Sequence, residues 1–130
     1  MRKRVGAAVI AVLSAGGLFL GSGVAQAASQ DIPWTVTWDS NTGGNAKFVS
    51  LGDDLWVCDT MSGDSYGAGA VLINQNTGAI MESVYDGAPD GSCVSTNKNL
   101  PEDIPVRLQV CLFRGSDPGV YCTLSVEGRT

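Results

Sequence analysis

The chain of 130 residues contains no histidine. That absence removes the Ser-His-Asp triad, the Cys-His dyad, the histidine general base and the usual zinc-hydrolase ligands. Helical periodicity is missing too, since beyond residue 27 no stretch repeats its apolar residues every three to four positions. No C-x-x-C occurs, so the four cysteines do not read as a zinc site. Cations are scarce. Eight Lys and Arg face thirteen Asp and Glu, and Arg2, Lys3 and Arg4 take three of the eight. From residue 28 onward five cations stand against thirteen acids, a net charge of −8. Such a surface repels phosphate backbones and anionic lipids, so neither nucleic acid nor a membrane surface is an expected partner.

What is present begins with an export pattern. Arg2-Lys3-Arg4 precedes an apolar run from Val5 to Leu20, and Ala25-Gln26-Ala27 supplies the small-x-small site that a signal peptidase accepts. Ser14, Gly16, Gly17, Gly21 and Ser22 interrupt the run, which argues against a retained membrane anchor. The expected division is a cleaved signal peptide over residues 1–27 and one secreted domain over residues 28–130, too short for two cores.

Cys58, Cys93, Cys111 and Cys122 all follow the leader, and an even count in an oxidising compartment points to two disulfides. Val106 to Phe113 and Val120 to Val126 alternate like strands around the turn residues Arg114-Gly-Ser-Asp-Pro-Gly119. A hairpin centred between Ser116 and Asp117 sets Cys111 opposite Cys122, Phe113 opposite Val120 and Gln109 opposite Leu124, with Leu112 and Tyr121 on the other face. Cys58 and Cys93 then pair by elimination.

Further strands are expected at Ile32–Trp38, with Pro33 at an edge, and at Ala46–Leu51, Leu55–Asp59 and Ala70–Asn74. Asn76-Thr-Gly78 turns the chain into Ala79–Tyr85, and a short segment follows around Cys93. The fold class is therefore all-β: a small antiparallel β-sandwich of about seven strands, immunoglobulin-like, with two disulfides.

Without histidine, a glycosidase-like carboxylate pair is the remaining route to hydrolysis, and a domain this small leaves little room for a sugar cleft. No catalytic residue is assigned. Asp53, Asp54, Asp59 and Asp64, and separately Asp86 and Asp90, offer hard oxygen ligands, but no EF-hand spacing occurs and solvated turns account for them. No cofactor and no metal ligand is expected. Six aromatic residues, Trp34, Trp38, Trp56, Tyr66, Tyr85 and Tyr121, resemble the platforms of sugar-binding sandwiches. Competing with that, Trp56 sits two residues from Cys58, where a sandwich tryptophan packs inside against a disulfide. Trp34 and Trp38 are expected to share a partly buried face. Tyr66, in the glycine-rich 61–69 loop, and Arg114, at the tip of the disulfide hairpin, are the leading candidates for binding, followed by Trp34 and Trp38.

Val57-Cys58-Asp59, the Gly/Asp/Ala-rich stretch to Val71, Asn99-Leu100-Pro101, Val106-Arg-Leu-Gln-Val-Cys111-Leu-Phe and Tyr121-Cys122 together resemble small secreted proteins of actinomycetes, of the streptomycete type. The resemblance implies an exported two-disulfide β-domain and supplies no activity or site residue. Enediyne-binding apoproteins are similar in acidity and architecture, but their disulfides close short local loops, whereas Cys58 and Cys93 are far apart. Small α-amylase inhibitors present a Trp-Arg-Tyr triplet that is missing here. The expectation is a monomeric, secreted, non-enzymatic protein that binds an extracellular protein or a small molecule. An inhibitor of an extracellular hydrolase, with Arg114 as bait, is the alternative. A small-molecule carrier is a third, and it requires a deep pocket between the sheets.

Overall fold

Alternation in the sequence resolves into eight strands in the computed structural model, which describes residues 28–130. They are β1 (Ile32–Val36), β2 (Gly44–Val49), β3 (Asp54–Asp59), β4 (Gly67–Asn74), β5 (Ile80–Asp86), β6 (Cys93–Asn97), β7 (Pro105–Phe113) and β8 (Val120–Arg129). Two four-stranded antiparallel sheets form, in the orders β1-β2-β3-β6 and β5-β4-β7-β8. With β2 to β8 taken as A, B, C, C′, E, F and G, these are the immunoglobulin orders A-B-E and C′-C-F-G, and β1 is added outside A. β1, expected over residues 32–38, is the strand beyond the seven of the immunoglobulin set. The expected leader lies outside the described residues, and no helix among those described is long and apolar enough to cross a membrane.

The period-2 pattern decides what fills the space between the sheets. Ala46 and Phe48 from β2, Leu55 and Val57 from β3, Ala68, Ala70 and Leu72 from β4, and Val106, Leu108, Val110 and Leu112 from β7 are all buried there. Each large member contributes about 1.5–3 kcal/mol by leaving water. Edge strand β1 adds Ile32, and the two sheets meet along its side: Gln30 and Arg129 exchange backbone hydrogen bonds, and Trp38 N donates to Tyr121 O at 3.3 Å. The 76–78 turn forms as expected, closed by Gly78 N on Asn74 O at 2.8 Å.

Both disulfides pair as the sequence predicts, Cys58 with Cys93 and Cys111 with Cys122. Each joins neighbouring strands of one sheet, β3 to β6 and β7 to β8, so neither bridges the sheets as an antibody disulfide does. The pairing belongs to an oxidising environment. Gln109 opposes Leu124 as expected, but Leu112 rather than Phe113 opposes Val120. A β-bulge at Tyr121, whose φ is +55°, inserts one residue into β8 and moves the register.

Strand β5 departs from the simple alternation. Its inward positions are Glu82, Val84 and Asp86, opposite Leu72, Ala70 and Ala68, while Ile80 and Tyr85 are exposed. Asp59, at the end of β3, points inward as well, so three carboxylates are buried between the sheets where β5 packs over β3.

Candidate functional site

Four connections, residues 37–43, 60–66, 87–92 and 114–119, emerge at the same end of the sandwich. Both disulfides lie close behind it: Cys58 and Cys93 are the next-to-last residue of β3 and the first of β6, and Cys111 and Cys122 flank the β7–β8 turn. The fold thus brings together side chains from distant parts of the chain. Trp38 follows β1, Tyr66 precedes β4, Arg114 follows β7, and Tyr121 is the second residue of β8.

Their rings form a continuous series. Trp38 meets Tyr121 edge-to-face at 4.9 Å between centroids, and Tyr121 meets Tyr66 in the same manner at 6.4 Å. The Arg114 guanidinium lies over Tyr66 at 4.5 Å from the centroid. Tyr66 and Tyr121 pack their inner edges on the hydrophobic core, whereas Trp38 is 68% exposed. A cavity of about 340 Å³ opens between them, floored by Leu112 and edged by Asp39 and Asp64.

Each acid is fixed by the backbone. The Asp39 carboxylate accepts from the Thr37 hydroxyl and from Gly43 N, at 3.0 Å to Oδ2. Desolvation alone would raise its pKa, but these hydrogen bonds prevail and hold the group below its ordinary range. Asp64 Oδ1 accepts from Tyr66 N at 2.9 Å, an Asx turn that sets the tyrosine. Behind them, Asp86 Oδ2 accepts from Asp59 N at 3.0 Å, and Asp59 Oδ2 has no hydrogen-bond partner. Burial pushes the Asp59 pKa up, with Asp64 and Asp86 adding like charge.

A second depression, of about 330 Å³, continues from Asp64 and Tyr66 past Gly67 to Tyr85 and Phe113. It leads onto the outer face of the second sheet, where a trough of about 480 Å³ runs along Gly69, Val71 and Ser83. Tyr85 and Phe113 lie across it edge-to-face at 6.3 Å. A Cβ on Gly69 would sit 2.6 Å from Phe113 Cε2, and one on Gly67 2.2 Å from Tyr85 Oη, so only glycine lets these rings lie down on β4.

Three of the four leading sequence candidates, Trp38, Tyr66 and Arg114, therefore converge, and Trp34 does not. Trp34 is 49% exposed on the outer face of the first sheet, where Lys47 Nζ stands 4.7 Å from its ring. Trp34 and Trp38 occupy separate patches because β1 ends at Val36, after which the chain turns toward β8. Trp56 is likewise not in the interior. Its parity puts it beside the Cys58–Cys93 bridge on that outer face, with Lys47 5.5 Å from its ring. Tyr121 joins the site rather than only the core because of its bulge, and Asp39 is the member that sequence reading did not single out. The turn composition of residues 39–43 marks a bend, but carries no signal that the bend packs under Trp38.

Among the described residues no group of three His, Cys, Asp or Glu side chains is arranged to hold a metal ion. The acids that could have served calcium are engaged locally: Asp53 accepts from Leu100 N at 2.9 Å, Asp54 from Asn97 Nδ2 at 2.9 Å, and Asp90 from Ser92 N at 2.9 Å. Comparison with known proteins does not extend the reading, since no family model, no curated protein and no solved structure matches the chain.

Proposed function

We propose that the chain is an exported, non-catalytic binding domain that takes its ligand at the loop end, on Trp38, Tyr66 and Tyr121. The observation that carries this reading is the convergence of three rings from three separate parts of the chain around one open cavity backed by two disulfides. A scaffold held covalently loses little conformational freedom when its loops meet a partner, which is what a binding surface requires. Export is supported by the leader pattern and by the paired cysteines, and the resemblance to small secreted actinomycete proteins agrees with it. Lack of histidine supports the non-catalytic assignment.

The inhibitor alternative gains less. Arg114 is exposed with Gly115 to Pro118, but its guanidinium lies over Tyr66 rather than projecting as a bait. A carrier with its ligand between the sheets competes with Phe48, Leu55, Leu72 and Leu108, which already fill that space. The direct test is capture from the medium of the producing cell on immobilised residues 28–130, beside Trp38→Ala and Tyr66→Ala. Wild type should retain a species that both variants lose while keeping the wild-type circular dichroism. Equal retention by all three would overturn the assignment.

A further inference from the structure

Resting on the loop end as the ligand site, we infer that the Trp38–Tyr66–Tyr121 cavity is selective for organic cations, of the alkylammonium class. Three observations carry this beyond a general aromatic patch. The cavity combines three rings with two carboxylates, Asp39 and Asp64, and the neighbouring cation, Arg114, stands on Tyr66 outside the lining. Ring faces attract cations through their quadrupole, and the attraction grows where water is partly excluded. The molecule already uses one of these rings in that way, for the Arg114 guanidinium stands 4.5 Å from the Tyr66 centroid. Finally, the described residues carry a net charge of −8, and Asp59 and Asp86 stand behind the same end, so the field draws cations toward it.

Other ligand classes fit less well. An anion would meet Asp39 and Asp64. A hard metal ion takes six to eight oxygen ligands, which rings do not supply. A neutral sugar would gain nothing from the charge of Asp39 and Asp64 at the cavity edge. A compact, weakly hydrated positive group meets both the rings and the carboxylates there.

The probes are choline, its uncharged carbon isostere 3,3-dimethylbutan-1-ol, and N-acetyl-lysine methylamide, each titrated into oxidised residues 28–130 by calorimetry and by tryptophan fluorescence. Choline should bind at least about tenfold more tightly than the isostere, and its affinity should fall with added salt. The lysine derivative separates the sources: binding comparable to choline's assigns a protein side chain as the natural cation, and weaker binding assigns a free quaternary amine. Trp38→Ala should abolish the heat. Asp64→Asn, which keeps the acceptor for Tyr66 N, should weaken choline about threefold or more. Arg114→Ala should strengthen it by about twofold to fivefold, because a resident like charge is removed.

Equal affinity for choline and its isostere, lost in Trp38→Ala, would overturn the cation assignment while leaving the loop end as a binding site. No Trp38-dependent binding of any probe would also overturn it, and capture from the medium would then judge the site independently.

Discussion

At one end of the sandwich two disulfides, four connections and three aromatic rings meet; at the other, no cysteine is present and polar side chains hold the turns. There the Asp31 carboxylate accepts from Ser50 N at 2.8 Å and Ser50 Oγ at 2.7 Å. Asp53 satisfies Leu100 N, and Thr130 Oγ1 accepts from Ile104 N at 2.9 Å while donating to Pro101 O at 2.7 Å. Arg129 adds an ion pair with Asp103 at 3.0 Å. The contrast shows what a covalent tie releases. Where hydrogen bonds hold the turns, the polar side chains are consumed in holding them. Where disulfides share that role, Trp38, Tyr66 and Arg114 can stay partly in solvent and face a ligand.

The largest test of this contrast is removal of the ties. Replacing Cys58 and Cys93 together by alanine should lower unfolding free energy by about 4 kcal/mol, and replacing Cys111 and Cys122 by about 3 kcal/mol, following the lengths of the loops they close. Urea unfolding measures both. At the polar end Asp53→Ala should cost about 1–3 kcal/mol, because it strands the buried Leu100 N–H. If the cysteine variants lose no more than Asp53→Ala, the two ends are held equally well and the distinction fails.

Titration sharpens the comparison further. Burial raises the pKa of Glu82 and of Asp59 above their ordinary values. A raised carboxylate binds its proton more tightly in the folded state, so its contribution is complete below the unfolded pKa and is lost as pH rises through the folded one. Glu82→Gln should therefore raise the thermal midpoint at pH 7 and change it little below pH 4. Asp31 has the opposite sign. Its hydrogen bonds from the Ser50 hydroxyl and Ser50 N lower the pKa, and their contribution, present above the ordinary carboxylate range, fades as pH falls through the folded value. Asp31→Asn should flatten the acid limb of the stability curve. The same pH dependence of the midpoint in Glu82→Gln and in wild type would refute the Glu82 assignment.

The smallest expected effect is Trp38→Ala, within about 0.5 kcal/mol of wild type in urea, since the ring is mostly in water. A large loss would mean that Trp38 is a structural buttress of the loop end rather than a contact surface.

The parts of this arrangement that sequence could reveal are those governed by local period. Alternation on both sides of Arg114-Gly-Ser-Asp-Pro-Gly119 is enough to place Cys111 against Cys122, and elimination then pairs the others. The bulge at Tyr121 is invisible to that argument, because one extra residue in a strand leaves composition unchanged while turning a side chain to a new surface. Strand β5 fails for a different reason. Ile80 to Asp86 has apolar residues at both parities, so nothing local says that Glu82 and Asp86 face inward while Ile80 and Tyr85 face out. The same limit separates Trp34 from Trp38: their even spacing reads as a shared face, and only the departure of the chain toward β8 divides them.

Keeping each disulfide within one sheet has a consequence for how the chain reaches its native state. Cys111 and Cys122 are 11 residues apart in a single hairpin, a unit that forms in about 1–10 μs, whereas Cys58 and Cys93 are 35 apart and are separated by β4 and β5, which belong to the opposite sheet. The local pair closes the shorter loop, which costs less chain entropy in the unfolded state than bringing Cys58 to Cys93. Once the hairpin is oxidised, only one partner remains for each of the other two thiols. Closing the short loop first therefore eliminates both wrong pairings and leaves Cys58–Cys93 as the one remaining bridge.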